Sequence, residues 1–180
     1  MIKYNICFIR RGDRILLLNR ELPSWMGCWN GVGGKLEPGE SPRDSMAREI
    51  AEETGITACR ITYKGLVTWT SDGGRFGGMY LYLGELPDTY EYPTPIKTPE
   101  GILDWKKIDW ILHPDNVGVT SNLPVFLRAV LEDPRCYDHH VAYRDGRLAE
   151  HRSVVIVPDT ETLAGTEAYL RLRGEVPTGG

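Results

Sequence analysis

GKLEPGESPRDSMAREIAEETGI, residues 34–56, is the stretch from which the fold can be read. Ser41 can cap a helix, Pro42 suits its first position and Asp44 favours the positive end of its dipole. Gly55 fits the left-handed residue that follows a last turn. Within that helix Glu49, Glu52 and Glu53 stand at i, i+3 and i+4, so their side chains share one face. Three like charges on one face repel and weaken a helix. A solvated surface face explains them poorly. An oxygen-only cluster suits a hard cation such as Mg²⁺ or Mn²⁺, which in turn binds phosphates.

The segment resembles the Nudix box of the pyrophosphohydrolase superfamily. Gly34, Glu40, Arg48, Glu49, Ile50, Glu52, Glu53, Gly55 and Ile56 fill every specified position of that pattern. The resemblance implies an α+β fold, the Nudix α/β/α sandwich around a mixed sheet. It implies Mg²⁺ (or Mn²⁺) held by Glu49, Glu52, Glu53 and the backbone carbonyl of Gly33. Glu40 and Arg48 would support that face by hydrogen bonds and an ion pair. The general base is open between Glu49 and Glu53 inside the box and Glu100 outside it. Glu100 stands five residues before Trp105, in surroundings similar to the matching region of MutT-type enzymes. A solvated acid at a strand end is the competing reading.

The chain's 180 residues suffice for one well-buried domain with an appendage. Lys+Arg 21 against Asp+Glu 25 gives a net charge of −4, which argues against a bulk electrostatic grip on nucleic acid or membrane. Cys7, Cys28, Cys59 and Cys136 form no C-x-x-C pair and read as free thiols. The N-terminal apolar run is broken by charge, too short for a signal or a span. A cytoplasmic location follows by default.

Taken in order, residues 3–19 read as a β-hairpin turning at Arg11–Arg14, and residues 20–30 as a loop with Pro23, Trp25, Gly27 and Trp29. Residues 60–69 and 79–86 read as strands flanking a glycine-rich turn at 71–78. Residues 90–99 are irregular, 100–112 hold a strand and a turn, and 124–132 a short amphipathic helix. The predicted division is a Nudix domain over 1–134 and a C-terminal extension over 135–180. Within the extension, residues 137–157 read as a hairpin turning at Asp145-Gly146, and residues 166–173 as a closing helix. The ending VPTGG reads as frayed. The hairpin could lid the site, mediate a homodimer or cover the sheet edge.

The run Trp29–Lys35 is similar to the corresponding run in MutT-type oxidised-purine nucleoside triphosphatases. By that resemblance Asn30 reads a base edge, Asp115 and Asn116 face the purine, and Trp69 walls the pocket. His113 departs from the aromatic that the family places before Pro114. Core packing competes for Trp69, and a plain turn for Asn30. Asn5 is a further pocket candidate, and Lys35 and Arg20 could touch phosphates. The expected partner is a nucleotide substrate. A nucleoside triphosphate, with 8-oxo-dGTP as the best single guess, would be cut to a nucleoside monophosphate and pyrophosphate. Another nucleoside diphosphate-X, an RNA 5′ end, or a non-catalytic nucleotide sensor are the alternatives.

Overall fold

The computed structural model describes residues 2–174, so the expected fraying of the last five residues lies outside the described residues. Strand β1 (Tyr4–Arg11) shows why the sheet is covered on both faces. Cys7 and Ile9 point to one apolar layer, Ile6 and Phe8 to the other, as a period of two requires. β2 (Arg14–Arg20) returns antiparallel to β1. β3 (Trp29–Asn30) adds a two-residue pairing to β2. The helix α1 (Pro42–Thr54) starts and stops as its caps direct. Ser41 Oγ accepts from Asp44 N at 3.1 Å, and Gly55 takes φ +73°.

Beyond α1, β4 (Arg60–Ser71) and β5 (Arg75–Glu85) pair antiparallel, and β5 runs parallel to β1. The expected glycine-rich turn is shorter than its composition suggests: only Asp72–Gly74 turn, and Phe76 to Gly78 join the ladder. Gly77 and Gly78 sit there because Trp69 and Ile2 occupy the space where their side chains would be. The irregular stretch hides a short strand, β6 (Ile96–Thr98), followed by β7 (Gly101–Lys107) and the single turn α2 (Ile108–Ile111). Then come α3 (Leu123–Glu132), β8 (Cys136–Arg144), β9 (Arg147–Ile156) and α4 (Leu163–Leu172).

Among the described residues, all nine strands form one mixed sheet, ordered β6-β7-β2-β1-β5-β4-β8-β9 with β3 on β2. Met46 and Ile50 of α1 and Leu170 of α4 pack on one face, and Phe126, Leu127 and Val130 of α3 on the other. The C-terminal hairpin is thus two further strands of the same sheet, joined by a parallel β4–β8 seam. At its base Asp138, 2% exposed, accepts from Thr68 Oγ1 at 2.7 Å and Tyr169 Oη at 2.8 Å. Arg173 pairs with the same carboxylate, which fastens α4 to the seam. Among the described residues no helix is long and apolar enough to cross a membrane.

Candidate active site

The glycine run before α1 does not continue β2. It crosses to β1 and pairs with its first half: Cys7 N donates to Val32 O at 2.8 Å and Asn5 N to Gly34 O at 3.0 Å. Gly33 has φ +151°, and a Cβ there would lie 2.3 Å from Asn5 O. Only glycine fits. Its N–H donates to Glu53 Oε2 at 3.2 Å. Asn5 clamps the crossing, its Oδ1 accepting from Gly34 N at 3.1 Å and its Nδ2 donating to Ser45 Oγ at 2.9 Å. Both ends of the Asn5 amide are therefore engaged. It holds the glycines against α1 and has little left for a ligand.

This crossing forms one wall of a cavity of about 860 Å³, a size suited to a small-molecule ligand. Glu49, Glu53, Arg20, Lys35 and Gly33 line one part of it, together with Glu100. Glu100 arrives on the turn between β6 and β7, which is tied to the end of β2 by the Glu21 N to Glu100 O bond at 2.8 Å. Arg20 Nη1 stands 3.8 Å from Glu100 Oε2. Crowding is visible in the carboxyls. Burial, then the neighbouring Glu100 and Glu49, raise Glu53 from 4.5 to about 8, against the opposing Gly33 N–H. Burial also raises Glu49, with Glu52 and Glu100 adding to it and Arg48 opposing.

Glu52 parts company with the other two. Its side chain is 61% exposed against 12% for Glu49, and it does not line the cavity. Arg48 explains the arrangement. Its guanidinium donates to Glu40 at 2.7 and 2.9 Å, to Glu49 at 3.0 Å and to Glu52 at 3.0 Å. Glu40 is held down at about 2, first by its hydrogen bond from Arg48 and then by the Glu37 N–H. Arg48 and Glu40 thus brace the helix from outside the cavity. The three box glutamates do not act as one face: i and i+4 look inward, while i+3 turns to Arg48.

The donor set fits a divalent cation in chemistry. Hard oxygens of Glu49, Glu53 and Glu100 share one wall, and their mutual repulsion is the stress a cation would relieve. Among the described residues, however, no three His, Cys, Asp or Glu side chains are gathered into a ready coordination shell.

The remaining expected residues divide. Asn30 and Trp69 line the cavity. Asn30 Oδ1 accepts from Gly31 N at 2.9 Å. Asp115 and Asn116 do not line it. Asn116 spends its side chain within its own loop, donating to Trp110 O at 2.8 Å and accepting from Gly118 N at 2.9 Å. Asp115 is exposed beside His113. Among the cavity residues that were not foreseen are Trp25, Asp72, Arg75 and Tyr143. The first sits in a recognised loop. The last comes from the hairpin, whose Asp145-Gly146 turn was legible but whose target was not.

A family model described as NUDIX domain matches residues 3–130; β8, β9 and α4 lie beyond it. A Nudix hydrolase of Bacillus subtilis, YvcI, is 34% identical over 57% of this chain and 64% of its own length. The mouse oxidized purine nucleoside triphosphate hydrolase is 25% identical over 62% of this chain and 70% of its own. A solved MutT mutator protein of Bacillus halodurans superposes with a TM-score of 0.67 at 29% identity, covering 85% of this chain and 97% of that one. The chain spans somewhat less than two thirds of YvcI. With the domain match, the complete box and the mixed sheet in agreement, the chain belongs to the Nudix family.

Proposed function

We propose that this protein is a divalent-metal-dependent pyrophosphohydrolase of nucleoside triphosphates, releasing a nucleoside monophosphate and pyrophosphate. One observation carries the reading. A single cavity holds the carboxylates of Glu49, Glu53 and Glu100 and the Gly33 turn beside the cations Arg20, Lys35 and Arg75, with aromatic rings on the same lining. Members of the family generally use divalent metals such as Mg²⁺. Here Glu49, Glu53 and the Gly33 carbonyl would hold the ion, which supplies charge neutralisation at the phosphoryl oxygens. Arg20, Lys35 and Arg75 orient the polyphosphate chain as fixed cations.

Glu100 is our general base. It faces Glu53 from a separate turn, and Arg20 steadies its carboxylate. Its side chain is 43% exposed, so solvent water reaches it. It would accept a proton from the attacking water as the P–O bond to the leaving group breaks. Arg48 and Glu40 fix the angle of α1, and Asn5 fixes the glycine crossing. Neither role requires contact with substrate.

The base readers expected for an oxidised purine, Asp115 and Asn116, stand outside the cavity, so the proposal names nucleoside triphosphates as a class. Residues 135–180 are taken as an extension of the hydrolase domain at residues 1–134. The test is product analysis with Mg²⁺ over the ordinary ribo- and deoxyribonucleoside triphosphates and 8-oxo-dGTP. Monophosphate and pyrophosphate in equal amounts are expected. Binding without hydrolysis of any of them would make the protein a sensor and overturn the proposal.

A further inference from the structure

Part of the cavity is lined by residues beyond the family match. Tyr143 and Gly146 of the β8–β9 hairpin line it, facing Trp25 and Trp69. The rings of Trp25 and Tyr143 lie 6.2 Å apart, tilted by 55°. Trp25 is 38% exposed and holds φ +65°, a region a bulky residue seldom takes. Its loop is closed by bonds from Cys28 N to Trp25 O at 3.0 Å and from Gly27 N to Arg20 O at 2.8 Å. The tryptophan is thus presented from a fixed turn.

Tyr143 is aimed as deliberately. The β8–β9 register shifts between Ala142 and Tyr143, and such a bulge redirects the side chain that follows it. The hairpin tip is held in place from the other side, where Asp145 N donates to Asp72 Oδ1 at 3.1 Å. Trp69 is pinned with its ring against Gly77, where a Cβ would come within 2.4 Å. Three aromatic side chains from three separate segments therefore border one space, and their own packing does not fill it.

We infer that the C-terminal hairpin supplies the nucleobase subsite of this enzyme, with the adjoining rings of Tyr143 and Trp25 forming a wall against which the base lies while the polyphosphate lies toward Glu53. This rests on the reading of the cavity as a nucleotide site. The occupant is a planar heterocycle. Aromatic rings hold any base by its face, whereas inorganic polyphosphate has no face to offer. With Asp115 and Asn116 directed elsewhere, stacking replaces edge reading as the main source of base affinity, and Asn30 is left as the one expected edge reader on the cavity wall.

The test is equilibrium binding to the full chain carrying E53Q, with Mg²⁺ present. Ligands are ATP, GTP, CTP, UTP and inorganic tripolyphosphate. Adding Y143A or W25A is expected to weaken all four nucleotides at least about tenfold and to leave tripolyphosphate within about twofold, a difference set by the base alone. Y143F, which keeps the ring, is expected to restore nucleotide affinity. Equal loss for nucleotides and tripolyphosphate would mean the hairpin is only structural and would overturn the inference. So would unchanged nucleotide affinity. Failure of all five ligands to bind the E53Q chain would overturn the nucleotide reading itself, and is told apart by the missing tripolyphosphate signal.

Discussion

The two ends of the cavity are built on opposite physical terms. At the carboxylate end, groups of like charge are forced together by a helix and two turns, and Glu53 is held near 8 by burial and by Glu100 and Glu49. At the aromatic end, the rings of Trp25 and Tyr143 stand 6.2 Å apart and Trp69 borders the same space. One end keeps a carboxyl protonated at neutral pH. The other is a prepared surface. Under the proposed function, chemistry and recognition would be carried by separate parts of the chain: the acids by residues 33–53 and Glu100, the base surface largely by a loop and a hairpin.

The largest expected effects separate acids that face the cavity from the acid that does not. E53Q and E49Q should lower kcat by about 10³-fold, and E100Q by about 10²-fold, with nucleotide affinity within severalfold. E52Q should lower kcat by only about tenfold, because Glu52 serves Arg48 rather than the cavity. Steady-state kinetics across the four variants checks this. An E52Q loss as deep as that of E53Q would show that Glu52 turns inward during turnover.

The burial of Glu53 beside Glu100 also has a stability signature. Glu53 is raised in the fold from 4.5 to about 8, so folding favours its protonated form. The penalty is absent below pH 4.5, grows through the interval and is complete above pH 8. Without divalent metal, E53Q should therefore be more stable than the parent at pH 9, by on the order of 3 kcal/mol. The gap should close by pH 4. Denaturant titration at the two pH values reads it directly; a gap independent of pH would contradict the assigned cause.

The aromatic end can be loosened without touching the acids. A Cβ on Gly65, which has φ +115°, would lie 1.9 Å from Tyr137 O across the β4–β8 seam. G65A should lower Tm by about 5 °C and speed amide exchange in β8 and β9 more than in α1. Uniform exchange loss would mean the hairpin and the box are one cooperative unit. The smallest effect is expected from N30A. Its loss of an edge contact should raise KM about threefold to tenfold, more for some bases than others.

How much of this was legible depends on how local each signal is. The caps of α1 were, because Ser41, Pro42 and Gly55 act on their own neighbours. Glu49 and Glu53 were, because helical spacing alone sets their shared direction. Glu52 was not, because its direction is decided by Arg48, which also takes Glu40 from eight residues away. The hairpin was readable from Asp145-Gly146, yet its place was not, since parallel pairing with β4 joins residues about 70 apart. Asn5 was singled out as a pocket candidate, but its clamp on Gly34 and Ser45 became visible only when the strand and helix met. Asp115 and Asn116 were carried over by position, and their loop turned them elsewhere.

The carboxylate end is best tested by counting protons. Mg²⁺ is titrated into the nucleotide-free protein at pH 7 in two buffers of different ionisation enthalpy. Since Glu53 is largely protonated there, binding should release about one proton per chain, and E53Q should release almost none. Binding with no proton release, or equal release from E53Q, would contradict the claim that crowded carboxylates at this wall are what the cation relieves.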